Sequence, residues 1–481
     1  MVSIPPLSQA TLPALGPGIA APAYDRARIA PGIVHFGPGA FARAHIASYV
    51  DDLLPRDPRW GIVGLALRGG ASGPALARQD HLYTLAELDA PPRYRVVGAL
   101  GDYIAVRAAP RRALAALEHP AAKLATVTVT EKGYCLDAQG SLDVHHPDIA
   151  HDLSAPAAPV SLIGWLSEGL EHRRAAGLAP FIVMSCDNVA SNGAKLRGAV
   201  LGYALALGRH DLVRWIEDTV RFPATMVDSI TPASDDALRV RVAEAIGLAD
   251  AVPVQRESFA QWVIEDDLGS DAPDLASVGA QLTGDVHAYE QAKLRLLNGA
   301  HSALAYLGLH FGHATVGAAM GDLRLAAFVE ALMRRDMQPT LRPARGLEIP
   351  SYIGALLTRL RNPAVQHRLS QIAADGSLKL PYRFLEPIAD LLKLGRPIAG
   401  ACVPIAAWML FVRDATRRGE TLNDPLRIKL VQTASRCTGQ AAADVPRFLS
   451  LSEIFPPALA GDPRAVAAIA AAYDNLEASL T

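Results

Sequence analysis

The apolar positions follow two different rhythms along the chain. In the first half, short β-branched runs alternate with longer stretches of helical spacing. "GIVHFG" (32–37) and "WGIVGLAL" (60–67) are glycine-bounded apolar runs and predict strands. Between them, "PGAFARAHIASYVDDLL" places Phe41, Ile46, Tyr49, Val50 and Leu53 at helical spacing. "RYRVVGAL" and "DYIAVRAA" predict a hairpin near 93–109, and "AKLATVTVTEKGY" (122–134) a strand with a polar end. A helix is expected at 161–177 and a strand at 179–188, again with a polar end. Alternation of this kind predicts an α/β fold with a mostly parallel sheet, preceded by an irregular leader over residues 1–30 that packs on the domain surface.

From about residue 285 the strand signals stop. "HAYEQAKLRLLNGAHSALAYLGLHFG", "LRLAAFVEALMRRDM", "PSYIGALLTRLRNP", "YRFLEPIADLLKLG" and "IAAWMLFVRDATRRG" all carry helical spacing. The expected division is a Rossmann-like domain at 1–285 and a mostly helical domain at 286–481, without internal repeats.

Composition narrows the function classes. At 481 residues the chain is long enough for two or three domains, and half its residues are hydrophobic. A formal net charge of −2 gives no electrostatic reason to expect nucleic acid or an anionic membrane as partner. The four cysteines (135, 186, 402 and 437) form no CxxC pair, so zinc knuckles and a disulfide framework are not expected. The chain has neither a secretory leader pattern nor an apolar run long enough to span a bilayer, and a cytoplasmic location is the default.

Four constellations carry candidate chemistry. In "HFGPGAFARAH" (35–45), Gly37 suits a tight turn after a strand, Gly39 allows backbone to approach a pyrophosphate, and Ala42 allows close helix packing. Gly37, Gly39, Ala40 and Phe41 are the candidate cofactor contacts there, against the alternative of an ordinary strand–helix turn. After the second strand, where NAD-type pockets carry a carboxylate, stands Arg68. An arginine can hold a 2′-phosphate, so NAD and NADP are weighed equally.

The second constellation is "MSCDNVASNG" (184–193), with "TVTEKGY" (128–134), both at strand ends. Asn188 could donate to a substrate oxygen; Asp187 equally suits a helix cap and Asn192-Gly193 a turn. The third is Asp228, a carboxylate within an apolar run, suited either to polyol hydroxyls or to capping a loop. The fourth is Glu290, Lys293, Asn298 and His301, spaced 3, 5 and 3 apart. On a regular helix they span an arc of about 140°, while Lys293 and His301 are about 12 Å apart along the axis. Convergence on one substrate therefore calls for side-chain reach or a break near Gly299. The chemistry suits alcohol–ketone exchange: a partly buried lysine as proton acceptor, amides at the developing alkoxide, an imidazole to orient it. A surface Glu290–Lys293 pair with Asn298 and His301 in polar niches is the structural alternative.

Taken together, "IVHFGPGAFARAH", "WGIVGLAL", "QDHLYTL", "TVTEKGY", "MSCDNVASNG", "FPATMVDSITP", "QWVIEDD", "KLRLLNGAHS" and "DGSLKLP" cover about 33–380 in order. On these motifs the chain resembles the mannitol dehydrogenase family, long-chain polyol and uronate dehydrogenases that need no metal. The resemblance implies hydride transfer between NAD or NADP and a sugar alcohol or sugar acid. It implies Lys293 as general acid/base, Asn188 and Asn298 as oxygen-binding amides, His301 as orienting group and Glu290 on the lysine's proton path. It adds Asp228 and Lys379 as substrate contacts.

Gln371 stands where many mannitol-type members have arginine, and "NPAVQHRLSQIAADGSLKLP" looks more like the fructuronate reductase branch. That branch often has histidine where Ala42 stands. For a uronate, Arg368, Lys379 or Arg383 would pair with the carboxylate, with His367 a weaker candidate. The implied reaction is exchange of D-mannonate and D-fructuronate; the alternative is a polyol 2-dehydrogenase acting on mannitol or arabinitol. A monomer or small homo-oligomer is expected.

Overall fold

The structure, a computed structural model, describes residues 4–479 apart from 90 and 366. The chain divides into two compact units, Met1–His287 and Ala288–Thr481.

The strands of the first unit are β1 (Ile33–Phe36), β2 (Ile62–Ala66), β3 (Tyr83–Leu88), β4 (Arg93–Val97), β5 (Leu100–Ala105), β6 (Leu124–Val127), β7 (Ile182–Ser185), β8 (Thr225–Asp228), β9 (Val254–Glu257), β10 (Gln261–Glu265) and β11 (Gln281–Thr283). Five form a parallel sheet in the order β5-β2-β1-β6-β7. All four residues of β1 are buried, as are those of β6, which is why both read as continuous apolar runs. Alternate side chains enter different cores. Val34 and Phe36 pack with the helices Leu162–Ala175 and Asn192–Ala206, and Ile33 with the helix Ile46–Leu53. The expected Rossmann-like architecture is therefore present.

The expected hairpin at 93–109 is not formed. β4 pairs antiparallel with β3, whereas β5 runs parallel to β2 in the main sheet. The leader takes part in this separation: Ala20 bridges to Arg95, and its carbonyl accepts the Val96 N–H at 2.8 Å. The backbone of β4 is thus partnered by the leader, and Gly98-Ala99 passes the chain into another sheet. As expected, the leader packs on the unit: Leu7 is fully buried among Leu82, Val96, Leu238 and Ile246. Two three-stranded sheets, β11-β10-β8 and β4-β3-β9, complete this unit.

The second unit is helical. Its helix Ala399–Arg417 is apolar nearly all round, and it packs against Gly299–His310 and Pro463–Ala478. Three segments depart from α geometry into π-helix: Lys293–Asn298, Leu332–Met337 and Pro381–Leu385. The first packs on the other two. π turns bond i to i+5, are costly, and concentrate at functional positions.

Candidate active site

The parallel sheet changes winding direction between β1 and β6, and ligands of such sheets bind beyond the carboxyl ends of the strands at that point. A cavity of about 550 Å³ lies there, lined by Gly37, Pro38 and Gly39 after β1, Arg68 to Ser72 after β2, and Thr128 to Thr130 after β6. Gly37 has φ +85°, and a Cβ on it would lie 2.2 Å from the Thr128 carbonyl oxygen. Only glycine fits that turn. Gly39 differs: a Cβ there would meet only the Gly37 oxygen, at 3.8 Å, so the backbone faces open space. That is the cradle a dinucleotide phosphate requires, and the residues present fit it. Ala40 and Phe41 begin the helix Ala40–Ala44 immediately after it.

His35 holds this turn from beneath. Its Nδ1 lies 2.7 Å from Thr126 Oγ1, and its Nε2 lies 2.9 Å from Thr128 Oγ1 and 3.2 Å from the Gly37 oxygen. Burial pushes its pKa down to about 4, so the ring is neutral. The other polar residues of the motif are also internal. Arg43 donates to the Val252 oxygen at 2.6 Å, and His45 stacks on Phe41.

Asp187 caps no helix; it clamps the loop after β6. Its carboxylate accepts the Val129 and Thr130 N–H groups at 3.1 and 2.8 Å and the Tyr134 hydroxyl at 3.1 Å. The Asn192-Gly193 turn is likewise absent, because these residues open the helix Asn192–Ala206. Asn192 accepts from Thr225 N and donates to the Thr225 oxygen, tying the start of that helix to β8. Asn188 is exposed just beyond β7. Asp228 is buried at the end of β8, which belongs to a different sheet.

Arg68 is exposed beside the cavity, and its Nη2 donates to Asp148 Oδ2. Asp148 lies 80 residues away in sequence, so local pattern gave no sign of this partner. Ligand-type atoms of Cys135, His146 and Asp148 lie within 4.8 Å of one another. The charge of Asp148 is met there by Arg68, and His146 Nδ1 accepts the Asp148 N–H at 3.2 Å.

In the second unit, Glu290, Lys293 and His301 are all buried and Asn298 is half-buried. The constant 100° per residue behind the expected arc does not apply. Lys293 to Asn298 is the π-helical segment, followed by the α-helix Gly299–His310. Across an i to i+5 turn, Asn298 comes one turn beyond Lys293, and His301 follows at the same-face spacing of three. The expected departure from regular helix thus precedes Gly299, which itself has φ −61°. A spacing of five between polar residues in an apolar helix is the signal for it. Arg295, inside the segment, is buried and anchored on the Thr340 oxygen at 2.8 Å and Asp390 at 2.9 Å.

His301 meets His367 edge to face, with centroids 5.4 Å apart. Burial, then the charge of Lys379, holds the His367 pKa below its usual range. Lys379 donates to the Ile372 and Ala374 oxygens at 3.2 and 2.5 Å. Arg383 donates through one nitrogen to the Asn298 oxygen at 3.0 Å and Ser302 Oγ at 2.7 Å. Arg368 is exposed, its backbone bridged to Thr315. Among the described residues, no helix is long and apolar enough to cross a membrane.

Comparison with known proteins agrees with this arrangement. Residues 31–277 match the model of the mannitol dehydrogenase Rossmann domain, and 285–477 that of the mannitol dehydrogenase C-terminal domain. D-mannonate oxidoreductase of Escherichia coli (strain K12) is 39% identical over 469 residues, covering 95% of this chain and 96% of the relative. Mannitol 2-dehydrogenase of Cereibacter sphaeroides is 38% identical over 441 residues, covering 90% and 91%. The structure of Pseudomonas fluorescens mannitol 2-dehydrogenase in ternary complex with NAD and D-mannitol superimposes with TM-score 0.84 at 36% identity, covering 98% of each chain. With a glycine-turn Rossmann unit and a helical unit matching over nearly the whole length, the chain belongs to the mannitol dehydrogenase family and is an NAD(P)-dependent oxidoreductase acting on a CH–OH group.

Proposed function

We propose that the chain interconverts a neutral sugar alcohol, such as mannitol or arabinitol, and its ketose. The observation that carries this reading is where the basic side chains of the second unit are spent. A substrate carboxylate needs a cation with donors directed at it. Lys379 donates to two backbone carbonyls and Arg383 to a carbonyl and a hydroxyl of its own unit, while Arg368 is exposed. Such an arrangement suits hydroxyl groups better than a carboxylate. The mannitol 2-dehydrogenase relatives support it.

The cavity beyond β1 and β6 is the proposed dinucleotide site, with Gly37, Gly39 and Arg68 in its lining and Ala40 and Phe41, outside that lining at the start of the next helix, as further proposed contacts. When bound, the nicotinamide supplies the hydride acceptor or donor. Lys293, buried in the second unit, takes the carbinol proton during oxidation and returns it during reduction. Asn298, one turn on, donates to the oxygen as alkoxide charge develops, and His301 orients it. Glu290, one helical turn before Lys293, exchanges its proton with solvent. Asn188 and Asp228 are the proposed substrate-facing residues of the first unit.

A second reading, D-mannonate exchanging with D-fructuronate, draws on the 39% identical D-mannonate oxidoreductase. It requires Arg368, Lys379 or Arg383 to turn to the substrate. The test is kcat/KM for fructose, xylulose, ribulose and fructuronate with NADH and with NADPH. The expected result is a ketose preferred over fructuronate. A preference for fructuronate, lost in Arg368→Ala or Arg383→Ala, would replace the polyol reading by the uronate one.

A further inference from the structure

A carboxylate following the second strand of a dinucleotide fold accepts a hydrogen bond from the adenosine ribose 2′-hydroxyl, and an arginine nearby accommodates a 2′-phosphate. Here the position after β2 holds Arg68 and no acid, which by itself leaves NAD and NADP equally open. The fold changes that reading. Asp148, on the helix Pro147–Ser154, lines the same cavity and accepts a hydrogen bond from Arg68 Nη2. The carboxylate missing after β2 is thus supplied from a distant segment.

We propose that Asp148, acting with Arg68, selects NAD(H) over NADP(H) in this cavity. The inference rests on the nucleotide reading of the cavity and holds for either substrate class. With Oδ2 taken by Arg68, the other carboxylate oxygen of this cavity-lining residue is the proposed acceptor for a ribose hydroxyl. A 2′-phosphate would bring like charge to that oxygen and would have to draw Arg68 out of its pair.

The surrounding charge acts in the same direction. The Cys135 thiol, also in the lining, is pushed up to about 11, first by burial and then by the carboxylate of Asp148, with Asp152 and Asp143 adding to it. Arg68 is the cation that opposes them. The other cation of the lining, Lys132, lies on the turn after β6. Because the Arg68 side chain is 68% exposed, solvent screens the pair and the selection is moderate.

The test is fluorescence titration of NADH and NADPH, without substrate, on the whole chain and on Asp148→Asn, Arg68→Ala/Asp148→Asn and Gly39→Glu. The wild type is expected to bind NADH about tenfold more tightly than NADPH. Asp148→Asn should lower the NADPH/NADH Kd ratio about tenfold by releasing Arg68. Removing Arg68 as well should raise the ratio again. A role of Asp148 confined to stability would leave that ratio unmoved.

A wild type that prefers NADPH overturns the proposal, as does a ratio unchanged within twofold in Asp148→Asn. Gly39→Glu tests the cavity itself, because its side chain enters open space and puts a negative charge in the phosphate cradle. If Gly39→Glu abolishes binding while Asp148→Asn leaves the ratio alone, only the selector falls. If Gly39→Glu binds both cofactors normally, the cavity reading falls and the selector with it.

Discussion

Arg383 donates to the backbone oxygen of Asn298 at 3.0 Å, joining the π-helical segment Pro381–Leu385 to the π-helical segment Lys293–Asn298. Arg383 is half-buried, and desolvation of its guanidinium pushes its pKa down to about 10. It adds a charged donor at the carbonyl where the π turn gives way to the α-helix Gly299–His310. Replacing it with methionine keeps the bulk and removes the donor. Arg383→Met should cost about 1–3 kcal/mol in urea unfolding, the worth of the charged-donor bonds lost to Asn298 and Ser302. It should also lower kcat, since Asn298 loses its support. Equal stability and equal kcat in Arg383→Met would show that the bond does not hold the turn.

Lys293→Ala separates chemistry from cofactor binding. Loss of a positioned acid/base should lower kcat by about 10²–10⁴. The Kd for NADH, titrated on the same variant, should stay within about twofold because the cavity lies wholly on the other unit. Added primary alkylamines should restore part of the rate. Retention of wild-type kcat would remove Lys293 from the reaction.

The neutral His35 makes the first unit acid-sensitive. Its pKa is about 4 in the folded chain, against the ordinary 6.5 of an imidazole. Between these values the unfolded chain binds a proton that the folded chain does not. The stabilisation is therefore full above about pH 6.5, declines as pH falls through the window, and is exhausted below about 4. The contribution lost is about 3 kcal/mol. Urea midpoints of wild type and His35→Gln between pH 4 and 8 measure it: the wild type should lose more stability than the variant across that range. Parallel curves would mean that His35 carries no such linkage.

Thr130 has φ +70° and ψ 164°, a conformation that suits glycine. Asp187 holds it there through the Thr130 N–H. Thr130→Gly should raise the unfolding free energy by about 1 kcal/mol or more by relieving the strain. The cavity wall it forms should become less defined, so Kd for NADH should rise in the same variant. Asp187→Ala should weaken both, because three donors lose their acceptor.

These sites show which physical signals a sequence carries. The β1 turn was legible because Gly37 and Gly39 follow an apolar strand, and those residue types mark a steric requirement. The helical unit was legible because apolar spacing persists across it. The fate of β4 and β5 was not, since Gly98-Ala99 serves a hairpin and a crossing between sheets equally well, and the deciding partner is Ala20. Asp148 was missed for the same reason of distance. The proposed working face of the second unit shows its polar residues in sequence but not their geometry, because Lys293–Asn298 departs from the constant angle of an α-helix.

That segment also makes the helix sensitive to residue count. A turn closing over i to i+5 accommodates one residue more than an α turn. Forcing it into uninterrupted α-helix at unchanged residue count would overwind it by one residue. Every side chain downstream would then swing by about 100° about the axis, the increment of one residue. Asn298 and His301 would leave the side on which Lys293 stands, and the Asn298 oxygen would turn from Arg383, with fold and composition nearly intact. Excising one apolar residue as well, Leu296 for instance, would restore the facing, because an α turn closes over four residues what the π turn closes over five; alignment of the proposed working groups therefore depends on turn type and residue count together.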